Sequence, residues 1–272
     1  MSDNPESVDY LRSIIRNRTE FASQWQAKWQ RHQELAANYR YVRIQKDGFS
    51  AISISSTNPC GHLVSKDGRD LSEVHHQTID EAIQCALDAV PVDDPGDYSP
   101  GKNKQEHRIQ AFLIRDALMK NNAMHGLFSG FEGAFDELWF VTDELTAGKH
   151  RADIIALGRK ADRYFPVFIE LKVKRLLTEL VRQLEGIRDA MASVEGDFIE
   201  FLAASAGVSA EKISFEEHRI MIVWQAPPSG VEGASVDAFR RDKNGITAVY
   251  TEDAANKSYG FTRWPKALCQ TL

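Results

Sequence analysis

Two apolar segments of the sequence carry three ionic side chains that could act together. Residues 165–173 read Phe-Pro-Val-Phe-Ile-Glu-Leu-Lys-Val. Side chains alternate between the two faces of a strand, so Glu170 and Lys172 would share one face, with their Cα atoms about 6.6 Å apart. Asp153 opens the preceding apolar segment, Ile-Ile-Ala-Leu. A carboxylate and an ammonium at this spacing suit joint action on one phosphate group or on one metal-bound water.

Charged side chains in apolar surroundings need partners. An unpaired buried charge costs several kcal/mol of stability, and a divalent cation held by Asp153 and Glu170 would compensate the two carboxylates. Lys172 would then place a second positive charge beside the same position. These residue types therefore suit cation-dependent hydrolysis of a phosphodiester.

The elements that would position these residues follow one another closely along the chain. Strands are predicted at about 137–143, 152–158 and 165–173, over His218–Gln225, and in two closing segments, Ile246–Thr251 and Tyr259–Trp264. Helices are predicted over Lys104–Lys120, Leu176–Met191 and Phe198–Ala206 and near Val236–Arg241. The nearly continuous apolar run at 220–224 is typical of a central strand. This order predicts an α/β fold with a mixed sheet flanked by helices.

The helix predicted over Lys104–Lys120 carries an acidic residue at the head of its apolar stripe. Glu106, Ile109, Leu113 and Ala117 are spaced three and four residues apart, which places them on one face. Glu106 would then face the same interior as the strands. A simpler role as a first-turn acid that interacts with the helix dipole is the alternative.

The first hundred residues have a different pattern. Helical spacing recurs over 5–38, alternation over Tyr41–Ser55 predicts a β-hairpin, and Asp80–Val90 is predicted to be a short helix. The segment 91–101 holds three Pro and two Gly and is predicted to be a linker. We therefore expect an N-terminal helical and β-hairpin domain over 1–100 and a second domain over 101–272.

The composition is that of an ordinary globular protein. The 272 residues are 43% hydrophobic and 26% charged, enough to bury the core of one large domain or two smaller ones. No apolar run approaches the roughly 20 residues of a membrane span, and the acidic N-terminus is unlike a secretory signal. The three cysteines are widely spaced, which argues against a disulfide framework. We expect a cytoplasmic protein with no membrane partner.

Charge is unevenly distributed along the chain. The net charge is −6, and residues 67–97 hold nine acidic residues against one basic residue. Residues 149–188, around the candidate site, hold ten Lys or Arg against five Asp or Glu. A polyanion responds to the local excess rather than to the sum. The residues expected to contact nucleic acid are Arg151, Lys174, Arg175 and Arg182, with Arg241 and Lys243 as further candidates.

The order of the elements and of their ionic residues resembles the PD-(D/E)XK nuclease superfamily. The resemblance covers about 104–225 and rests on Glu106 in the first helix, Asp153 in the second strand, Glu170-Leu171-Lys172 in the third, and Gln183 in the following helix. Arg151-Ala-Asp also looks like the Arg-x-Asp strand of several members. Gln183 matches the Gln of a Gln-x-x-x-Tyr helix motif, although Ile187 stands at the Tyr position.

The resemblance implies a restriction-endonuclease-like fold and a metal-dependent nuclease. In that superfamily the Asp and the Glu hold one or two Mg²⁺ ions, the Lys positions or activates the attacking water, and a helical Glu often completes the metal site. By position these residues are Asp153, Glu170, Lys172 and Glu106. The implied cofactor is Mg²⁺ or Mn²⁺, the expected substrate is DNA, and the superfamily also permits RNA.

Two other interpretations stay open. A nuclease fold with little or no turnover could serve as a nucleic-acid or protein binding module, which the acidic net charge mildly favours. The first 100 residues could carry the recognition of DNA or of a partner protein. The aromatic series Phe21, Trp25 and Trp29, spaced four residues apart, would suit a helix core or the seam of a homodimer formed through the N-terminal helix.

Overall fold

The structure is a computed structural model of the chain. It describes residues 8–13, 15–16, 19, 42–46, 49–54, 63–64, 90–91, 104–147, 150–172, 177–224, 238–239, 241, 243–253 and 258–264. Among these residues, no helix has the length and apolar character needed to cross a membrane.

The described elements are runs of strands separated by helices. In chain order they are β1 (Val42–Lys46), β2 (Phe49–Ile54), β3 (Leu63–Val64), β4 (Val90–Pro91), α1 (Lys104–Met119), β5 (Phe128–Ser129), β6 (Glu137–Ala147), β7 (His150–Lys160), β8 (Arg163–Lys172), α2 (Leu177–Ala192), α3 (Glu195–Ala206), β9 (Arg219–Trp224), β10 (Gly245–Asp253) and β11 (Ser258–Arg263). Residues 8–13 and 15–16 are also helical.

One mixed sheet of seven strands organises the C-terminal part of the chain. Its strand order is β5-β11-β10-β9-β8-β7-β6. The three central strands β8, β9 and β10 are parallel, whereas β6, β7 and β8 form antiparallel neighbours and β11 runs antiparallel to β10. The predicted α/β class, the mixed sheet and the central position of β9 are confirmed. The restriction-endonuclease-like arrangement stays a prediction.

Strand β8 is buried on both faces of the sheet. Its successive side chains point to opposite faces, and both faces carry apolar residues. Phe165, Val167, Ile169 and Leu171 belong to the core cluster that also contains residues of α1. Phe168 points to the other face and packs in a second cluster with residues of α2 and α3. The sheet therefore lies between two helical layers, and the ionic end of β8 is enclosed by both.

The second core cluster also includes residues from the start of the chain. Leu11 and Ile15 are 5% and 0% exposed, and they belong to the same cluster as Leu180 and Phe198. Arg12 and Arg16 reinforce this packing by binding the two carboxylate oxygens of Asp197, at 3.0 and 2.7 Å. The N-terminal helical residues thus share a core with the sheet, and the boundary predicted near residue 100 stays a prediction.

The predictions for the remaining N-terminal residues have mixed outcomes. The β-hairpin is present, since β1 and β2 pair in antiparallel orientation. Val90 and Pro91 form β4 and pair with β3, where a helix end and a linker were expected. Proline is compatible with a strand edge that does not need its N–H. The rest of the predicted helix and linker, and the aromatic series at 21–29, lie outside the described residues.

Strands β6 and β7 are longer than predicted. They span 11 residues each, against seven in the prediction for each strand. The sequence-based bounds followed the apolar run, but the polar residues Arg151 and Thr146 also pair in the ladder. Backbone hydrogen bonds do not depend on side-chain polarity, so ladders extend into polar ends.

Candidate active site

The candidate site lies where β7 and β8 come together at one end of their antiparallel pair. Ile154 pairs with Ile169, so Asp153 and Glu170 are the next residues outward on adjacent strands. Lys172 follows two residues later on β8 and returns to the same side as Glu170. The three ionic residues are 7%, 0% and 6% exposed, respectively.

The ammonium of Lys172 contacts three carboxylates. Its Nζ lies 2.9 Å from Glu170 Oε1, 3.7 Å from Asp153 Oδ2 and 3.4 Å from Glu106 Oε2. Glu106 reaches the site from the first turn of α1, and Ile109 further along that helix is buried in the core, as its predicted stripe requires. The structure therefore brings together the four residues that the sequence placed in one site.

The Asp153 carboxylate is held by the neighbouring strand. Its Oδ2 accepts a hydrogen bond from the backbone N–H of Leu171 at 2.8 Å. The Arg151 guanidinium lies 3.9 Å from Oδ1, but its side chain is 49% exposed, so water screens this interaction. The buried amide of Gln110 donates to the backbone carbonyl of Asp153 at 2.9 Å. The position of Asp153 is thus fixed from both β8 and α1.

The two oxygens of Glu170 have different surroundings. Oε1 accepts hydrogen bonds from Lys172 and from the Gln183 side-chain amide, the latter at 2.9 Å. The same amide nitrogen donates to the backbone carbonyl of Arg151 at 2.6 Å, so Gln183 joins α2 to both strands. Oε2 is buried and has no hydrogen-bond partner. Since buried polar atoms almost always have one, this oxygen is open to a ligand.

Burial and mutual repulsion control protonation at the site. Burial, together with the nearby Asp153 carboxylate, raises the pKa of Glu170 to about 7, against the opposing effect of Lys172. Burial also raises the pKa of Asp153, although Lys172 and the Leu171 N–H oppose it. For Lys172, burial lowers the pKa, but the Asp153 and Glu170 carboxylates outweigh burial and the pKa is raised. Lys172 therefore remains an ammonium.

The site fits a divalent cation in its charge and in its donor atoms. When all three carboxyl groups are ionised, they exceed the single ammonium of Lys172 by two negative charges in a mostly buried place. Mg²⁺ prefers oxygen ligands and is commonly held by one or two carboxylates, with water or substrate oxygens completing its shell. Asp153 and the open Oε2 of Glu170 supply such a pair.

A third protein ligand is not assembled in the described part of the chain. No group of three or more His, Cys, Asp or Glu side chains there is arranged to hold one metal ion. The carboxylate of Glu106 contacts the ammonium of Lys172 at 3.4 Å. Its predicted role as a metal ligand therefore stays a prediction.

The residues expected to contact nucleic acid are only partly described. Arg151 is exposed beside Asp153, and Arg182 is exposed on α2 immediately before Gln183. Arg241 and Lys243 are also exposed. Lys174 and Arg175 lie outside the described residues, as does most of the acidic segment 67–97.

Two residues that shape the site were missed by the sequence analysis. Gln110 is one helical turn after Glu106 and is 5% exposed, so a polar residue next to the apolar stripe was the available signal. Gly186 lies one turn after Gln183 on α2. A Cβ at Gly186 would lie 2.3 Å from the His150 ring, so the helix approaches β7 closely at this point.

Comparison with known proteins identified no relative of this chain. No protein family, no curated protein and no solved structure matches it. Its function must therefore be argued from the side chains of the site.

Proposed function

We propose that this protein is a metal-dependent nuclease that hydrolyses phosphodiester bonds, with DNA as the first substrate to test, on a restriction-endonuclease-like domain. The observation that supports this proposal is the convergence of Asp153, Glu170 and Lys172 at the adjoining ends of β7 and β8. Two buried carboxylates and one ammonium form an ionic set that suits cation-assisted phosphodiester hydrolysis.

The energetics of the site favour a functional role over a structural one. A carboxyl group whose pKa is raised to about 7 by burial is less stable as an anion here than in water. Structural carboxylates are usually paired so that the anion is favoured. Perturbed pKa values of this kind are concentrated at functional sites, because reactions need charges that folding alone would disfavour.

In the proposed mechanism, Asp153 and Glu170 would hold a Mg²⁺ or Mn²⁺ ion, which would supply positive charge at the phosphate and lower the pKa of the attacking water. Lys172 remains protonated and donates hydrogen bonds from Nζ. Its ammonium lies beside both carboxylates, and there it would stabilise negative charge that develops on the oxygens of a phosphate bound next to them. The role of Lys172 is therefore electrostatic and orienting.

The surrounding residues hold this set in position. The Leu171 N–H fixes Asp153 Oδ2, Gln183 orients Glu170 Oε1, and Gln110 fixes the backbone of Asp153. Glu106 holds Lys172 from the side of α1. These contacts leave Glu170 Oε2 as the acceptor without a protein partner. Pre-organisation of this kind avoids the cost of reorienting groups during the reaction.

A binding module without turnover is the second candidate, and one observation favours it. Lys172 already contacts three carboxylates, so the cluster is partly self-compensating and could persist as a buried ionic network. Such a protein would bind nucleic acid or a partner protein without cutting a strand.

The deciding experiment is a cleavage assay on end-labelled DNA and RNA, each with Mg²⁺, with Mn²⁺ and with EDTA. The proposal predicts cation-dependent cutting by the wild type, no cutting in EDTA, and no cutting by Glu170→Ala, whose folding is checked by circular dichroism. Binding without cutting under all conditions would favour the binding module. Equal cutting by wild type and Glu170→Ala would indicate a contaminating nuclease and would contradict the assignment.

A further inference from the structure

The two carboxylates that would hold a cation each have one oxygen fixed by the protein. Asp153 Oδ2 accepts a hydrogen bond from the Leu171 N–H at 2.8 Å. Glu170 Oε1 is bound by Lys172 and Gln183, each at 2.9 Å. Of the other two oxygens, Glu170 Oε2 is buried without a hydrogen-bond partner. Asp153 Oδ1 is the remaining one, and the group beside it decides what a cation would meet on entering.

That group is the guanidinium of Arg151. It lies 3.9 Å from Asp153 Oδ1, and the side chains of Arg151 and Asp153 are 49% and 9% exposed. This distance is too long for a hydrogen bond, so the contact is electrostatic. Ion pairs with a solvent-exposed member are weak, because water screens them. Arg151 can therefore leave Asp153 at little cost.

The charge of Arg151 acts on the same two carboxylates that would bind a cation. Burial raises the pKa of both Asp153 and Glu170, and the positive charge of Arg151 is among the effects that oppose it. A divalent cation would compensate the two carboxylates in the same way. Two positive groups repel each other at such short range, so Arg151 and a cation would compete for Asp153 Oδ1.

The backbone of Arg151 is fixed, whereas its head group is exposed. Arg151 pairs with Thr146 on β6, and its carbonyl accepts a hydrogen bond from the Gln183 amide at 2.6 Å. The guanidinium lies beyond these contacts at the exposed side of the site. Its planar array of N–H donors matches the oxygens of a phosphate as well as those of a carboxylate. Arg151 can thus change its partner without a change in the strand.

We propose that Arg151 and a divalent cation compete for Oδ1 of Asp153, and that the guanidinium displaced by the cation binds a phosphate of the DNA backbone. This inference rests on the proposed nuclease function and adds a regulation to it. Without the cation, Asp153 engages Arg151, and with the cation Arg151 is available to DNA. Cation binding and DNA binding are then coupled, and linkage requires each to strengthen the other.

The first test measures the affinity for Mn²⁺ alone by isothermal titration calorimetry, which requires no activity. Arg151→Met removes the guanidinium and keeps an apolar stem. It is expected to bind Mn²⁺ about threefold more tightly than wild type, because it loses a competitor held by a weak, exposed ion pair. Arg182→Met is the matched control, since Arg182 is also exposed but belongs to α2. It should bind Mn²⁺ as wild type does.

The second test measures the affinity for a short fluorescein-labelled DNA duplex by fluorescence anisotropy, in Ca²⁺ and in EDTA. In Ca²⁺ at about 0.1 M salt, Arg151→Met is expected to weaken binding about tenfold, as the loss of one phosphate contact does. In EDTA it should weaken binding about twofold or less, because Asp153 engages Arg151 in the wild type. Arg182→Met should change the affinity by the same factor in both conditions.

The outcomes separate this inference from the proposed function. Unchanged or weaker Mn²⁺ binding by Arg151→Met would overturn the competition, and an equal gain in Arg182→Met would overturn it by assigning the effect to net charge. An equal loss of DNA affinity in Ca²⁺ and in EDTA would make Arg151 an ordinary phosphate contact and would overturn the exchange. Each of these results overturns this inference alone if the wild type cuts DNA. A wild type that binds no Mn²⁺ would overturn the proposed function together with it.

Discussion

The two ends of the β7–β8 hairpin carry the same kinds of ionic residue in opposite settings. At the turn, Arg159 pairs with Glu137, and Lys160 pairs with Asp136 at 3.0 Å, each cation with one carboxylate. Lys160 and Asp136 are 44% and 43% exposed in their side chains. At the other end Lys172 shares three carboxylates, and its side chain is 7% exposed.

The pKa shifts at the two ends have opposite signs. The backbone N–H of Ala161 and the side chain of Lys160 lower the pKa of Asp136. Burial, with help from Asp153, raises the pKa of Glu170 to about 7. The carboxylate at the turn is thus favoured as an anion by its neighbours, whereas the carboxylate at the site is disfavoured as one.

This difference in burial and in the direction of the pKa shift distinguishes the two sets of charges. The ion pairs at the turn are compatible with the folded state, whereas the carboxylates of the cluster at the other end are disfavoured as anions in it. Exposed one-to-one pairs contribute little to stability and are easily replaced. A buried cluster with more carboxylates than cations lowers stability until something positive binds to it. The site end of the hairpin therefore has the energetics that the proposed cation site requires, and the turn has those of a solvated surface.

The largest expected effect is on catalysis. Asp153→Asn, Glu170→Gln and Lys172→Met should each lower the DNA cleavage rate about a thousandfold or more, because the three side chains act as one unit. Asp136→Asn and Lys160→Met at the turn should leave the rate unchanged. Initial cleavage rates on one labelled substrate are measured for the variants at the site and for those at the turn. A large loss of cleavage rate in Asp136→Asn would contradict the distinction between the two ends of the hairpin.

The next largest effect is on stability in the absence of metal. Lys172→Met should lower the free energy of unfolding by about 3 kcal/mol or more, because it leaves buried carboxylates without their ammonium. Lys160→Met removes the same charge at the turn and should change the denaturation midpoint little, since water replaces its contacts. Urea unfolding in EDTA measures both. Equal losses in the two variants would show that burial at the site is not energetically important.

These local features explain why much of the site could be predicted. Alternation along β8 is a property of consecutive residues, so the common side of Glu170 and Lys172 follows from the sequence. Glu106 follows from the helical period of α1 in the same way. Asp153 needed one further step, because its place beside Glu170 depends on the pairing of two strands that are close in sequence.

The features that could not be predicted depend on contacts between distant elements. Gln110 binds the backbone of Asp153 across 43 residues, and no local pattern indicates this hydrogen bond. The missing partner of Glu170 Oε2 is a property of the packed site as a whole. Likewise, β5 pairs with β11 across more than 100 residues, and its two residues are too few to give a periodic signal.

A third effect, of intermediate size, is on stability, and it is expected from substitution of two glycines. One lies near the turn of the hairpin, and the other lies on α2 and packs against the opposite end of β7. A Cβ at Gly186 on α2 would lie 2.3 Å from the ring of His150, and a Cβ at Gly158 on β7 would lie 2.5 Å from the ring of Phe165. Either substitution by alanine should destabilise the protein by about 1–3 kcal/mol through overpacking. Only Gly186→Ala should also lower kcat, because it shifts α2 and with it Gln183.

Thermal unfolding and cleavage assays on the same preparations separate these two outcomes. Gly196→Ala on α3 is the control for a helical glycine with open space, because nothing lies within 4 Å of its added Cβ. It should be neutral or slightly stabilising, since alanine favours a helix more than glycine does. If Gly158→Ala lowered kcat of the folded enzyme as much as Gly186→Ala, Gln183 would not need to be positioned by α2.

The smallest expected effect is a change in unfolding temperature. It tests directly whether the pKa shifts of Glu170 and Asp136 have opposite directions. Glu170→Gln removes a buried negative charge that its surroundings disfavour, so in EDTA the variant should unfold at the same or a slightly higher temperature than wild type. Asp136→Asn should unfold at a slightly lower temperature than wild type. A lowered pKa stabilises the folded protein above the unfolded-state pKa, so at pH 7 the wild-type Asp136 contributes stability that the amide cannot.

Adding Mn²⁺ should then reverse the order of the unfolding temperatures, so that the wild type unfolds at a higher temperature than Glu170→Gln. A cation that binds only the folded state at ten times its Kd stabilises it by about 1.4 kcal/mol, and wild type should gain this while Glu170→Gln gains much less. Asp136→Asn keeps the site and should respond to Mn²⁺ as wild type does. A wild type whose unfolding temperature is insensitive to Mn²⁺, or a Glu170→Gln variant that responds equally, would show that the excess negative charge is not compensated by a cation. The ionic cluster would then be structural, like the pairs at the turn, and the comparison between the two ends would fail.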